Sequence, residues 1–136
     1  MSTALEILRR TRTDADFYTL LGPFLARREV VAAVGGPVWD DDGKTWFIAR
    51  QGGAVVGFLG ATVAGSGVAT LASSYVVPTA DAAPVWDALL ADARAALHGR
   101  ATRARATVAD EKKHFSRAGF RATTTKGRFT VVERSI

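Results

Sequence analysis

The sequence predicts a mixed α/β domain, and two features of its 136 residues carry that prediction. Tight turns at Gly52-Gly53 and at residues 64–67 separate three strand-like runs, which is typical of antiparallel pairing. A helical pattern over residues 81–97 then lies between two further strand-like runs, and a β-α-β unit of this kind is parallel and right-handed. We therefore expect one central mixed sheet that is flanked by helices.

The N-terminal third predicts one strand and two helices. Leu5 to Arg10 has the composition of a short strand. Phe17, Leu20 and Leu21 recur at helical spacing, so a helix follows it. Gly22-Pro23 is expected to break that helix, and Pro23 can open a second one that runs to about residue 34.

The remaining elements alternate with short turns. Strands are predicted at Thr45 to Gln51, Val55 to Val63, Val68 to Val77, Thr102 to Val108, Arg121 to Thr125 and Phe129 to Arg134. Helices are predicted at Asp81 to Leu97 and Asp110 to Ala118, each followed by a glycine. The complete order is β-α-α-β-β-β-α-β-α-β-β, which we interpret as a single domain over residues 1–136.

Composition excludes several classes of protein. Hydrophobic residues make up 48% of the chain and charged residues 23%, which is typical of a globular core. The absence of cysteine excludes disulfides, thiolate nucleophiles and cysteine-based zinc sites. No apolar run approaches the roughly 20 residues of a membrane span, and the N-terminus lacks a signal-peptide pattern. We therefore expect a cytoplasmic protein that has no membrane partner.

Positive charge is concentrated in the last third of the chain. Residues 91–136 hold 11 Lys/Arg and 4 Asp/Glu, whereas residues 1–90 hold 7 and 9. A basic segment of this kind attracts nucleic acid or an acidic ligand such as coenzyme A. The alternative interpretation is a solvated basic surface without a partner.

Three local patterns resemble the GNAT superfamily of N-acyltransferases. Residues 46–49, a two-glycine turn and residues 55–58 resemble the family's strand hairpin that ends in V-G-F. Residues 75–78 and then 88–90 resemble its strand ending in V-x-P and the helix that follows. Residues 114–120 resemble its helix ending in Y-x-x-x-G-F. The patterns occur in the family's order across residues 5–134, and phage-borne or actinobacterial members are the type we expect.

The resemblance implies both the fold and the chemistry of an acyltransferase. In the family, the strand that matches Val68–Val77 splays from the one that matches Thr102–Val108, and the gap admits the pantetheine arm of acyl-CoA. Helix N–H groups after Pro78 hold the pyrophosphate. An amine then attacks the thioester with help from a base and an acid. The cofactor contacts implied for acetyl-CoA or another acyl-CoA are Tyr75, Val76, Val77, Ala82, Ala83, Val85 and Phe115.

Five positions depart from the family pattern. The phosphate loop has Asp81 for the usual arginine, and Pro84 and Trp86 for two glycines. These changes add a repelling charge, remove one N–H donor and add bulk. Ala72 stands where the family often has a glutamate base, and Phe115 where it often has a tyrosine acid. A non-catalytic binding or regulatory domain that has lost its CoA site is therefore an alternative function.

Three other side chains are candidates for the missing catalytic groups. Tyr75 ends the central strand, where its hydroxyl could act as an acid, and Ser73 lies close to it. His114 precedes the position of the family's tyrosine and could act as a base. The alternatives are that Tyr75 only packs against a helix and that His114 is a surface residue on a basic helix.

Two further expectations concern partners and metals. GNAT-fold proteins that modify DNA bases suggest nucleic acid as an alternative partner, and the family is often dimeric, so a homodimer is possible. The run Asp40-Asp41-Asp42-Gly43 lacks the alternate spacing of a calcium loop, so we interpret it as a solvated turn and expect no metal site. The cations that would contact phosphates are Arg100, Arg103, Arg105, Lys112, Lys113 and Arg117.

Overall fold

The structure is a computed structural model that describes residues 4–25, 27, 28, 30, 43–78, 80–109 and 112–136. Its elements, in chain order, are β1 (Leu5–Arg10), α1 (Phe17–Leu25), β2 (Thr45–Gln51), β3 (Ala54–Val63), β4 (Val68–Val76), α2 (Ala82–Leu97), β5 (Arg103–Val108), α3 (Lys112–Arg117), β6 (Arg121–Lys126) and β7 (Phe129–Ser135). Among these residues, no helix is long and apolar enough to cross a membrane.

The strands form one mixed sheet in the order β1-β2-β3-β4-β5-β7-β6. Neighbouring strands are antiparallel except for β4 and β5, which pair in parallel. The short turns between β2, β3 and β4 permit only antiparallel pairing, whereas α2 carries the chain back between β4 and β5. The predicted mixed sheet and its single parallel pair are therefore confirmed.

Two apolar clusters cover the two faces of the sheet. Alternate residues of β2 divide between them, because Phe47 and Ala49 point toward α2 and α3, whereas Trp46 and Ile48 point toward α1. The α1 cluster lies against β2, β3 and the end of β4. On that same face, the outward side chains of β5 are exposed, so α1 leaves the neighbouring half of the sheet open.

The predicted helix break at Gly22-Pro23 is wrong, because α1 continues through both residues. Proline costs the helix one hydrogen bond, and its ring also clashes with the Cβ of the preceding residue. Gly22 has no Cβ, so the clash with the preceding residue does not arise here. The buried face formed by Phe17, Leu21 and Phe24 then continues across Pro23 at helical spacing.

Several sequence expectations lie outside the described residues. Residues 26, 29 and 31–34 of the expected second helix lie outside, as does its glycine stop at residues 35–37. The aspartates of the solvated turn, Asp40 to Asp42, and the expected start of the last helix at Asp110 also fall outside.

The first turn of α2 packs closely on β3 at Gly57. A Cβ at this position would lie 2.9 Å from the Tyr75 carbonyl oxygen and 3.1 Å from a methyl carbon of both Val76 and Val85. The distance of 2.9 Å is to backbone, which cannot rotate away. Gly57 therefore lets the N-terminal end of α2 approach the end of β4.

We expect Gly57→Ala to lower the free energy of unfolding by about 1–3 kcal/mol, the usual cost of overpacking. Gly65→Ala is the matched control, because a Cβ there meets no atom within 4 Å, and it should change stability by less than about 0.5 kcal/mol. Urea denaturation of both variants measures the difference. Equal stability of the two variants would contradict the close approach.

Candidate active site at the fork between two parallel strands

The parallel strands β4 and β5 form a fork. They pair from Val68 with Arg103 to Leu71 with Ala106, and the ladder stops there. β4 nevertheless continues to Val76. Within the described residues, the last five positions of β4 therefore have no partner on the β5 side.

A β-bulge in β4 lies where the two strands part. In the ladder with β3, Phe58 pairs with Tyr75 and Gly60 pairs with Ala72, so β4 holds one extra residue in this interval. Ser73 adopts a φ of 58°, a backbone conformation that residues other than glycine rarely adopt. A bulge bends its strand and increases the local twist. The bulge at Ser73 thus accounts for the departure of β4 from β5.

The backbone of Val76 points into the fork. Val77 donates its N–H to the Val56 carbonyl at 2.8 Å, which directs Val77 toward β3. Val76 lies opposite Gly57 in the same ladder. Because successive residues of a strand direct their N–H and C=O groups to opposite edges, those of Val76 face β5. An extended ligand that contains amides can bind at this edge as an extra strand would.

The N-terminus of α2 lies directly after the fork. Asp81 is its N-cap residue, yet its side chain makes no capping hydrogen bond. A helix that starts at Ala82 leaves the N–H groups of Ala82 and Ala83 without intrahelical partners. The N–H of Val85 instead falls where it bonds the Asp81 carbonyl. The Val85 side chain is 3% exposed and packs in the apolar cluster that α2 forms with the sheet, and its expected contact with the cofactor stays a prediction.

Trp86 joins α2 to α3. Trp86 is 6% exposed, and its ring stacks on the His114 ring with their centroids 5.4 Å apart. The centroid of the Phe115 ring lies 5.8 Å from that of Trp86. Phe115 is fully buried beneath these rings. His114 is 7% exposed, so the alternative of a surface histidine is wrong. The stack lies on the face of the sheet that α2 and α3 cover.

The environment of His114 favours its neutral form. Burial, followed by the nearby charges of Arg117 and Lys113, lowers the pKa of His114 below its ordinary value. Arg117 lies 3.0 Å from Nδ1 and also bonds Asp87 at 2.8 Å. A guanidinium can only donate, so Nδ1 accepts and the proton lies on Nε2.

The other two catalytic candidates lie on the opposite face of the sheet. Tyr75 is 9% exposed and packs against Phe24 and Phe58 in the α1 cluster. The Ser73 hydroxyl accepts a hydrogen bond from Lys44 Nζ at 3.2 Å. The structure therefore brings Ser73 together with Lys44 and places Tyr75 on the same face, but it does not bring His114 to them.

Lys44 is a residue that the sequence analysis missed. It precedes the buried run of β2 and is only 5% exposed. Its signal in the sequence is weak, because its contact with Ser73 spans 29 residues. A lysine at the edge of an apolar strand is ordinarily a solvated end residue.

The six basic residues that could contact nucleic acid do not share one face. Arg103 and Arg105 project from the open face of β5, and both bind Glu133, at 2.9 and 2.5 Å. These two guanidinium groups hold the pKa of Glu133 below its usual value. The cations of α3 lie on the other side of the sheet, and Arg100 follows the end of α2. The α3 cations are Lys112, Lys113 and Arg117.

A cavity of about 400 Å³ lies between α2, the end of α3 and β7. Leu71 and Leu90 contribute to its apolar wall, and Arg94, Arg117 and Arg134 also line it. Arg117 is bonded to Asp87, and Arg134 donates to the Ala118 carbonyl. Arg117 and Arg134 are thus already engaged, and the unpaired residues of β4 after Leu71 do not line this cavity. The fork is therefore the better candidate site.

The lowered pKa of His114 predicts a pH dependence of stability. Below its unfolded pKa of about 6.5, the unfolded chain binds a proton that the folded chain does not. The free energy of unfolding should therefore fall as the pH drops from 7.5 to 5.5, by at most about 1.4 kcal/mol per pH unit. His114→Phe keeps an aromatic ring beside Trp86 and should lose this slope.

Denaturation at several pH values measures the free energy of unfolding of the wild type, of His114→Phe and of His98→Asn. His98→Asn is the control, because His98 is exposed. The slope should persist in the control. A His114→Phe variant that keeps the wild-type slope would show that His114 does not titrate differently on folding.

The sequence matches no protein-family model and no curated protein. Its structure, however, is similar to many solved structures. The GNAT domain of PAT from S. lividans superimposes with a TM-score of 0.74 and 17% identity, over 96% of this chain and 89% of that one.

Two further structures are similar over nearly their whole length. An acyl-CoA N-acyltransferase from Pseudomonas aeruginosa has a TM-score of 0.75 and 15% identity, over 96% of this chain and 99% of that one. The aminoglycoside acetyltransferase AAC(6')-Ib, solved in complex with coenzyme A, has a TM-score of 0.70 and 14% identity, over 96% of this chain and 95% of that one. These similarities confirm the resemblance at the level of the fold: the chain has the fold of the GNAT acyltransferases.

Proposed function

We propose that this protein transfers an acyl group from acyl-CoA to an amine. The observation that carries the proposal is the fork, where β4 continues past its last pairing with β5 and turns the backbone of Val76 into the gap. The pantetheine arm of acyl-CoA is long, thin and contains two amides, so it fits such an edge. The similar structures that bind or are named for acyl-CoA support the choice of donor.

The N-terminus of α2 supplies the second part of the donor site. The N–H groups of Ala82 and Ala83 point away from the helix, and the helix dipole favours an anion at this end. The Asp81 carboxylate, which caps no N–H group of the helix, repels that anion, and Pro84 has no backbone N–H to donate. We therefore expect donor binding to be weaker than a loop with arginine and two glycines would give.

The reaction requires the acceptor amine to attack the thioester carbonyl and the thiolate to leave. Ala72 supplies no base on the α1 face, and His114 lies on the other face of the sheet. Because neither position supplies a base, we expect the amine to arrive in its neutral form and the proton that it loses to pass to the leaving thiolate or to water. The rate should rise with pH up to the pKa of the amine.

Substitutions at Val76 test the fork directly. Val76→Pro removes the N–H that faces β5 and leaves the hydrogen bond between Val77 and Val56 in place, so acetyl-CoA should bind at least about 10-fold more weakly. Val76→Ala is the matched control, because it retains the N–H. Calorimetric titration with acetyl-CoA measures both variants, and release of the CoA thiol on addition of amines measures transfer.

Equal affinities of the proline and alanine variants would contradict the fork as the donor site. A wild-type protein that neither binds acetyl-CoA at millimolar concentration nor releases its thiol would overturn the proposed function. It would favour the non-catalytic alternative.

The charge of Asp81 provides an independent test of the phosphate site. Asp81→Asn removes a negative charge from the first turn of α2, and the affinity for acetyl-CoA should rise about 2- to 5-fold at low salt. The gain should shrink as salt is added, because the interaction is exposed. Asp14→Asn is the control: it changes an aspartate that lies before α1, and it should leave the affinity for acetyl-CoA unchanged. An Asp81→Asn variant with wild-type affinity would place the phosphates elsewhere.

A further inference from the structure

The cavity of about 400 Å³ between α2, the end of α3 and β7 is separate from the fork. α2 lines it with residues between Asp87 and Leu97, whereas the N–H groups proposed to hold phosphate lie in the first turn of that helix. On the sheet, the cavity reaches Leu71 and Ala104, which belong to the paired part of β4 and β5. A ligand in this cavity would therefore not occupy the fork.

The cavity has an apolar wall and the size of a small-molecule site. Leu90 and Leu97 are 4% and 3% exposed and belong to the cluster between the helices and the sheet, as does Phe120 after α3. Ala91 and Ala118 line the space between the two helices with small side chains. Pockets that bind small molecules typically measure about 300–1,000 Å³ and are mostly apolar. Size and lining together therefore fit a small apolar molecule.

Positive charge prevails around this apolar space. Arg94, Arg117 and Arg134 line the cavity, and Asp87 is the only carboxylate among the described side chains that line it. Asp87 accepts a hydrogen bond from Arg117 at 2.8 Å, so one of the three positive charges is balanced. The other two favour an anionic ligand.

The three guanidinium groups retain N–H donors for such an anion. Arg117 makes both of its hydrogen bonds through Nη2, and Arg134 donates to two backbone carbonyls through Nε and Nη1. Their other N–H groups make no hydrogen bond to any residue that the structure describes. Arg94 is exposed, and its side chain makes no hydrogen bond within the same residues. A planar guanidinium with free N–H groups matches the two oxygens of a carboxylate.

Arg134 is built into the wall of the cavity. It donates to the Ala118 carbonyl at the end of α3. A Cβ at Gly119 would lie 2.8 Å from Arg134 Nη1, and Gly119 has a φ of 91°, which residues with a side chain rarely adopt. Gly119 therefore provides the space in which this guanidinium lies.

An apolar cavity with convergent guanidinium groups selects a molecule that combines an apolar body with one carboxylate. The body would remove apolar surface from water, and the carboxylate would accept charge-assisted hydrogen bonds. We propose that this cavity binds a small apolar carboxylate, such as a medium-chain fatty acid, as a second ligand of the protein. The inference goes beyond the proposed function and does not depend on it.

Three probes that share a chain of eight carbons test the proposal by calorimetry: octanoate, octanamide and octylamine. Octanoate should bind the wild type at least about 10-fold more tightly than octanamide. Octylamine should bind most weakly, because the arginines repel its ammonium group. The preference for octanoate over octanamide should fall about 3- to 10-fold in Arg94→Gln. Arg100→Gln is the matched control, because Arg100 is exposed just after α2 and does not line the cavity.

A steric variant tests the place of binding. Ala91 lines the cavity from an exposed position of α2, and leucine is as good a helix former as most residues. Ala91→Leu should weaken octanoate binding at least about 10-fold, because its side chain fills space that the ligand needs. Ala95→Leu is the control, because Ala95 is exposed on the same helix and does not line the cavity. Octanoate should also shift the amide NMR signals of Leu90 and Phe120 but not that of Val76.

Equal affinities of the wild type for octanoate and octanamide, or no binding of octanoate, would overturn the proposal. An unchanged octanoate affinity in Arg94→Gln or in Ala91→Leu would overturn it as well. Ala91→Leu should bind acetyl-CoA as the wild type does, which also shows that the variant is folded. Octanoate binding by a protein that does not bind acetyl-CoA would support this proposal and contradict only the proposed function.

Discussion

The candidate site depends on a single irregularity, the extra residue that β4 accommodates at Ser73. A regular β4 would continue its hydrogen bonds to β5 beyond Leu71 and close the edge of the sheet. The bulge instead reverses which face later residues occupy. Leu71 joins the α2 cluster, whereas Tyr75, four positions later, joins the α1 cluster. A regular strand would place both on the same face. The open fork and the aromatic packing of α1 on the sheet therefore have a common origin.

The fork also separates two chemically different surroundings. On the α2 side, the helix N-terminus offers backbone donors, and the Trp86–His114 stack fastens α2 to α3. On the α1 side, the buried ammonium group of Lys44 donates a hydrogen bond to the Ser73 hydroxyl at the bulge. The two faces of the sheet at the fork therefore present different groups.

Local signals predicted the fold well, because tight turns, alternating strands and one long amphipathic helix depend on neighbouring residues. The strands Leu5–Arg10 and Thr45–Gln51 were predicted with the bounds that the structure shows. The site was harder to predict, because its features depend on distant contacts. Residue 73 is a serine and not a glycine, so the sequence gives no sign of its positive φ. The burial of His114 requires Trp86, 28 positions earlier, and the path of Lys44 requires Gly60 on another strand.

Amide hydrogen exchange at the end of β4 tests the central claim most directly. The Val76 amide faces the gap and should exchange readily in the free protein, whereas the Val77 amide is bonded to Val56. If acyl-CoA enters the fork, saturating acetyl-CoA should slow exchange at Val76 by about 10-fold or more and leave Val77 little changed. Identical exchange at Val76 with and without acetyl-CoA, under conditions in which calorimetry shows binding, would contradict the account.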